Sequence, residues 1–121
     1  MNTPPPRDTR ERAFEFACDV VRFCQKLSQK RACWSIADQL LRAGTGVAAN
    51  AEEAKVAYSR REFALKNNYA LKEARESQLW LRLIVRCQLS DDEAEAKRLL
   101  QEAGELTGIL TATVRSTRRN L

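Results

Sequence analysis

Proline is absent from this chain after Pro6, and only four of its 121 residues are glycine. Both residue types interrupt helices, whereas strands need long alternation of apolar and polar residues, which is missing here. Apolar residues instead recur every three or four positions through most of the chain. The sequence therefore predicts an all-α fold whose helices are joined by short connections.

Four helices are predicted, with approximate bounds at residues 8–29, 33–57, 60–87 and 91–116. Three of them open with a capping box, a Ser or Asp followed three residues later by Glu: Asp8 with Glu11, Ser59 with Glu62, and Ser90 with Glu93. Short connections make neighbouring helices run antiparallel, so we expect one antiparallel up-and-down four-helix bundle over residues 8–117. The polar, Pro-rich residues 1–7 are expected to be a disordered leader.

The second helix contains two glycines, Gly44 and Gly46, each about 1 kcal/mol worse than Ala in a helix interior. Two interpretations are open. The helix could break here, or the missing side chains could let another helix approach closely. The small residues around both glycines favour close approach. Asn50, near the core stripe of the same helix, could face solvent or a partner, but we favour a buried hydrogen bond that fixes helix register.

Acidic residues on helices two and three raise the question of a metal centre. Bundles that bind two iron ions use Glu-x-x-His motifs, and this chain has no histidine. We therefore expect no metal or cofactor, and expect the acids to pair with Arg42, Lys72 and Arg75. The residues assigned to a structural polar motif are Arg42, Asn50, Glu53 and Glu73.

The lack of histidine also excludes every mechanism that needs an imidazole base. The sequence around the two glycines lacks the spacing and the Lys-Ser/Thr ending of a phosphate loop. A nucleophile based on Cys or on a Ser–Lys pair stays formally open, but nothing in the sequence favours one. We predict that the protein is not an enzyme.

The four cysteines indicate in which cellular compartment the protein is expected. Cys18, Cys24 and Cys87 lie within apolar helical patterns, and no Cys-x-x-Cys pair occurs with them or with Cys33. Buried reduced thiols are the favoured interpretation, because the start of the chain has no apolar stretch for export. No apolar run approaches the roughly 20 residues that span a bilayer. The sequence thus predicts a cytoplasmic protein without a membrane partner.

The formal net charge of +5 allows nucleic-acid binding, although a solvated helical surface would explain it equally well. The basic clusters are Arg60, Arg61 and Lys66; Arg82 and Arg86; and Arg115, Arg118 and Arg119, into which the last helix is expected to fray. An antiparallel bundle would gather the best candidate surface at one end, and its residues would be Arg60, Arg61, Arg115, Arg118 and Arg119. Aromatic residues are not interleaved there, so contact would be mainly with phosphates.

Aromatic side chains exceed what one small core needs. Phe14, Trp34 and Trp80 are the surplus residues. Excess apolar surface on a small protein indicates self-association. The chain is therefore expected to have copies of itself as a partner.

Several segments together resemble the bacterial four-helix bundle protein family, whose best-known members are encoded in intervening sequences of large-subunit ribosomal RNA genes. The segments are QLLRAGTGVAANAEEA (39–54), SRREF (59–63), ALKEARESQLWL (70–81) and FA-x-x-V (16–20). The resemblance covers about residues 12–110. Many members carry Asn-Ile-Ala-Glu-Gly where this chain has NAEEA at 50–54.

This resemblance implies an antiparallel bundle that assembles as a ring-shaped homopentamer, with no known reaction. A distant relative, the accessory protein of diversity-generating retroelements, binds RNA and its reverse transcriptase through a basic pentamer surface. The first hypothesis is therefore a non-enzymatic oligomeric interaction protein that binds RNA or another anionic partner through a basic surface. The alternative is a protein-binding scaffold or adaptor with no nucleic-acid role.

Overall fold

The computed structural model describes residues 8–121, so the predicted leader lies outside the described residues. The long helices are α1 (Thr9–Leu27), α2 (Trp34–Lys55), α3 (Arg60–Arg86) and α4 (Glu93–Arg119), and a 3₁₀ turn, Arg31–Cys33, precedes α2. Residues 8–121 contain no strand. The four helices pack against one another as a bundle. The predicted all-α class and the number of helices are confirmed.

Side-chain caps define two of the helix starts as predicted. The Asp8 carboxylate accepts a 2.7 Å hydrogen bond from the Glu11 backbone N–H, and the Ser59 hydroxyl accepts one of 3.1 Å from Glu62. Each bond satisfies a backbone donor that the first turn of a helix leaves without a partner. The Glu62 carboxylate in turn accepts from the backbone N–H of Tyr58 at 2.8 Å.

The predicted start of the fourth helix is wrong by two residues. Ser90 accepts from the Asp92 backbone N–H at 3.0 Å and so shapes the turn, while Asp92 is the N-cap and accepts from Glu95 at 3.1 Å. This turn follows Gln88, which has a positive φ of 54°. The backbone N–H of Leu89 reaches back to the Ile84 carbonyl at 3.0 Å, an arrangement typical of a helix that ends in a left-handed residue.

The core is formed by the inward stripes of all four helices. Its largest fully buried aliphatic and aromatic side chains are Phe16, Leu40, Leu81, Ile84, Leu99, Leu106 and Leu110. Leu41, which follows Leu40 in α2, is 37% exposed. Consecutive residues are about 100° apart around a helix, so only Leu40 of this pair points fully into the core.

The two glycines of α2 lie in an unbroken helix, which excludes the broken-helix interpretation. A Cβ on Gly44 would lie 2.8 Å from Cγ1 of Val20, on α1, and a Cβ on Gly46 would lie 3.0 Å from the carboxyl carbon of Glu73, on α3. Both distances are too short for an ordinary contact. The prediction of close helix approach is confirmed.

Not all of the surplus aromatic residues are exposed. Phe14 and Trp34 are each 54% exposed, but Trp80 is partly buried against the core and its indole N–H lies 3.4 Å from Glu76. Among residues 8–121, no helix has the length and apolar character required to cross a membrane.

Candidate nucleic-acid-binding site

The last two turns of α4 present three exposed arginines, Arg115, Arg118 and Arg119. The predicted fraying is wrong, because α4 continues as far as Arg119. Thr117 donates its hydroxyl to the Thr113 carbonyl at 2.7 Å within this segment. Together with Ala112, the three arginines line a shallow hollow of about 490 Å³. Their side chains are therefore held on a regular helix.

Arg60 and Arg61 lie in the first turn of α3, directly after the N-cap Ser59, and both are exposed. They are not among the residues that line the hollow, which α4 forms by itself. The convergence of all five candidate arginines on one surface stays a prediction.

Ion pairs divide the arginines of the bundle into two groups. Where α1 meets α4, Arg12 bonds Glu102 through two nitrogens, and Arg98 bonds both Asp19 and Glu95. The bonds to Glu95 and Asp19 raise the pKa of Arg98, and the bond to Glu102 raises the pKa of Arg12. These guanidinium groups are committed to carboxylates of their own chain.

The candidate arginines form the other group. None of the five candidate arginines forms an ion pair within residues 8–121; they are Arg60, Arg61, Arg115, Arg118 and Arg119. Guanidinium groups match the geometry of phosphate oxygens and stay charged at every physiological pH. Their donors are therefore available to an anionic partner.

A second polar region lies between α2 and α3. Arg42 donates to Glu76 at 2.6 Å and to Gln39 at 2.6 Å. Glu53 pairs with Lys66 at 2.7 Å, which raises the pKa of that lysine. These two ion pairs tie the exposed edges of the helices together.

Two other expected partners of the acids, Lys72 and Arg75, form no ion pair within residues 8–121, so that part of the expectation is wrong. The reason is their position on α3. Arg42 reaches Glu76 from α2 and occupies its carboxylate, whereas the side chains of Lys72 and Arg75 are exposed on α3.

The sequence assigned Glu73 to the structural polar motif but missed its contact with Gly46 and its burial. Its side chain lies against Gly46, and its Oε2 atom is buried without a hydrogen-bond partner. Burial raises the pKa of Glu73, the neighbouring Glu76 raises it further, and Arg42 and Lys72 lower it. Gly46 was the only signal of this contact in the sequence, and it could not say which residue fills the space.

Asn50 does not bridge two helices. Its amide donates to the Gly46 carbonyl, 2.9 Å away in the same helix. The expected bond that would fix helix register is therefore not formed by this residue. A half-buried asparagine satisfies its donor locally, four residues back, as polar side chains in helices commonly do.

The thiols and acids give no sign of reactive chemistry in the part of the chain that is described. Cys24 and Cys33 are buried and Cys18 is half-buried, but Cys87 is exposed because it lies just beyond the last turn of α3. Burial, with a smaller effect of Asp38, raises the pKa of Cys24 to about 12. Residues 8–121 contain no group of three or more His, Cys, Asp or Glu side chains that could hold a metal ion.

Comparison with known proteins identifies the family. The model of the 23S rRNA-intervening sequence protein family matches residues 8–112. The chain belongs to this family. The resemblance seen in the sequence segments is thus confirmed.

A solved structure is also similar, that of a protein with unknown function from the S23 ribosomal protein family of Bacteroides thetaiotaomicron. It shares 31% sequence identity, the match covers 88% of this chain and 98% of that chain, and the TM-score is 0.81. No curated protein matches the sequence. The fold and the family are therefore established, while neither description names an activity.

Proposed function

We propose that this member of the intervening-sequence family is a non-enzymatic interaction protein that assembles with copies of itself and binds RNA through exposed arginines. The observation that carries the proposal is the hollow at the end of α4, where Arg115, Arg118 and Arg119 have no carboxylate partner within residues 8–121. The family description, which refers to 23S rRNA, supports RNA as the anion. The lack of histidine supports a role in binding.

An antiparallel up-and-down course of the helices is part of the proposal. The order of contacts supports it, because residue numbers fall along one helix as they rise along its neighbour. The pairs are Arg10 with Glu52 and Val20 with Gly44 for α1 and α2; Glu53 with Lys66 and Arg42 with Glu76 for α2 and α3; and Arg12 with Glu102 and Asp19 with Arg98 for α1 and α4. Such a course would bring the start of α3 and the end of α4 to the same end of the bundle.

Self-association is supported by two apolar surfaces on different helices. The outer face of α3 presents an exposed stripe consisting of Leu65, Tyr69, Leu79 and Leu83. A second exposed set, on α1 and α2, consists of Phe14, Val21, Trp34 and Leu41. If one surface of a copy packs against the other surface of the next copy, the contact is head-to-tail, and it forms a ring when the rotation between copies closes after a whole number of subunits. Five subunits are proposed from the family resemblance.

Assembly would matter for binding because each hollow offers only three charges. Several copies on one ring act on a single RNA at a high effective concentration, so weak sites combine into tight binding. A cytoplasmic location belongs to the same proposal, and the four free cysteines of the described residues support a reducing compartment.

The test is a filter-binding series with structured RNA between 50 and 200 mM salt. Changing Arg115, Arg118 and Arg119 together to Ala should lower the slope of log affinity against log salt by about 2–3, since each lost phosphate contact removes about 0.7–0.9. A matched control changes Arg10, Arg22 and Lys26, three exposed cations of α1, to Ala and removes the same charge. An equal loss of slope in the control would contradict a specific site.

Two further measurements address the rest of the proposal. Light scattering should give the mass of an oligomer, and a monomer at micromolar concentration would contradict assembly. The exposed stripe on α3 also suits the alternative, a scaffold that binds another protein. Wild-type protein that shows no salt-dependent RNA binding, but copurifies with one protein after nuclease treatment, would favour that alternative.

A further inference from the structure

The side of α3 that faces α4 carries a second line of arginines. Thr107 of α4 lies 2.9 Å from the amide oxygen of Gln78, so this side of α3 faces α4. Arg75 and Arg82 are three residues before and four residues after Gln78, and helical geometry puts all three on one side. Arg86 follows Arg82 by four residues and continues the line. All three arginines are exposed.

These arginines have no carboxylate partner within residues 8–121. The nearby acids are engaged elsewhere, because Glu76 pairs with Arg42 of α2 and Glu93 pairs with Lys97. The line therefore carries uncompensated positive charge, in contrast to the acid-paired arginines between α1 and α4.

Spacing extends the line to the start of α3. Arg61 is fourteen residues before Arg75, which is nearly four full helical turns, and so lies next to this line, where it borders the outer face that carries Leu79. From Arg61 to Arg86 the helix rises about 37 Å. That length is about eleven base pairs at the rise of B-form DNA, roughly 3.4 Å, and slightly more in an RNA duplex because the A-form rise is shorter. Arg61 also belongs to the candidate surface at the end of the bundle, so the two basic regions are continuous along α3.

The part of α4 next to these arginines contains two glycines, Gly104 and Gly108. A Cβ on Gly108 would meet nothing within 4 Å, and one on Gly104 would touch only the side-chain nitrogen of Gln78, at 3.4 Å. At these two positions, therefore, α4 has no side chain that would shield the arginines from a wide partner.

Exposed aromatic residues lie elsewhere in the described chain. Tyr69 is turned toward Lys66 on the α2 side, and Tyr58 precedes α3. Proteins that bind single strands use aromatic side chains as stacking platforms, whereas a duplex turns its phosphates outward. The chemistry of this line suits a duplex.

We propose that Arg61, Arg75, Arg82 and Arg86 form a track that binds the phosphate backbone of double-stranded RNA. The proposal rests on the RNA-binding function proposed above and adds to it the form of the ligand. The arginines of the α4 hollow would contact the phosphates of either form of RNA, and the track would hold the body of a duplex.

The test compares Arg82→Ala with Arg86→Ala, made together, against Arg22→Ala with Lys26→Ala. Both double variants remove two exposed cations four residues apart on a helix, so their charge and spacing match. The probes are a 16-base-pair RNA duplex and one of its strands, each titrated between 50 and 200 mM salt. The Arg82/Arg86 variant should lose about two units of salt slope with the duplex and 10- to 100-fold in affinity at 100 mM salt.

With the single strand, the Arg82/Arg86 variant should bind as wild type, and the Arg22/Lys26 variant should bind both probes as wild type. Thermal unfolding of both variants checks that the fold is intact. An unchanged duplex slope in the Arg82/Arg86 variant, with binding still lost when Arg115, Arg118 and Arg119 are changed, overturns the track and leaves the proposed function standing. Failure of the wild type to bind either RNA overturns both. Equal dependence on Arg82 and Arg86 with a DNA duplex would overturn the assignment to RNA.

Discussion

Helix α2 meets its two neighbours at glycines only two residues apart, and the two contacts differ in chemistry. Gly44 lies against the branched side chain of Val20, which is fully buried on α1. Gly46 lies against the carboxyl group of Glu73 on α3, whose side chain is only half-buried. On one face of α2 a glycine therefore packs against an apolar side chain, and on the other face a glycine packs against a carboxyl group.

The difference lies in how each neighbour can respond to added volume. Val20 has one strongly preferred rotamer in a helix and is surrounded by core, so it has nowhere to move. Glu73 has a longer side chain with a route to solvent. We infer that the joint between α1 and α2 is rigid, whereas the polar joint between α2 and α3 can adjust.

The largest effect is expected for Gly44→Ala. Overpacking a core costs about 1–3 kcal/mol, and the better helix propensity of Ala returns about 1 kcal/mol. The added methyl group would lie 2.8 Å from Val20 Cγ1, so we expect a net loss of up to about 2 kcal/mol in the free energy of unfolding. Chemical denaturation measures this change.

Gly108→Ala is the matched control, since a Cβ there meets nothing within 4 Å. This variant should gain stability through helix propensity, by up to about 1 kcal/mol. If Gly44→Ala were as stable as Gly108→Ala, the rigid joint between α1 and α2 would be disproved.

The next effect is expected for Glu73→Gln, which should stabilise the protein at neutral pH by about 1 kcal/mol because a buried, unpartnered polar atom no longer carries charge. The pKa of Glu73 is raised by folding above its ordinary value of 4.5. The folded state then holds this proton more strongly than the unfolded state, so the contribution of Glu73 to stability falls as pH rises through the raised pKa.

Denaturation of both proteins from pH 4 to pH 8 tests this sign. The advantage of the Gln variant should be small at pH 4, where Glu73 is protonated in the folded state, and should grow toward neutral pH. All other titrating groups are common to the two proteins. An advantage that stays flat with pH would show that Glu73 titrates normally and that the carboxyl group is well solvated.

Helix positions were predictable from the sequence, but one helix start was not. Asp8 and Ser59 are N-caps in the prediction and in the structure. Near the fourth helix, however, the sequence contains two overlapping capping boxes, Ser90 with Glu93 and Asp92 with Glu95. Propensity alone does not choose between them. The choice depends on the left-handed turn at Gln88, a residue type that gives no sequence signal for positive φ.

The sequence predicted which arginines form the candidate site, but it could not predict which arginines of the bundle form ion pairs with carboxylates. The sequence identifies every arginine, yet which of them are neutralised depends on how each helix is rotated in the bundle. Arg75 was expected to pair with an acid, but its side of α3 faces α4, where no carboxylate reaches it within residues 8–121. The contact of Gly46 with Glu73 was also out of reach, because a glycine marks a close approach without naming the neighbour.

The smallest effect is expected for Gly46→Ala, within about 0.5 kcal/mol of wild type. The helix gains about 1 kcal/mol from Ala, and the displacement of Glu73 from a 3.0 Å contact offsets most of that gain. In a Glu73→Ala background the space is empty, so the same substitution should stabilise by nearly the full amount. The double-mutant cycle would then show a coupling of about 0.5–1 kcal/mol. Zero coupling would mean that the Glu73 side chain does not affect the cost of the new methyl group. It would contradict the inference that the packing of α2 against α3 adjusts through Glu73.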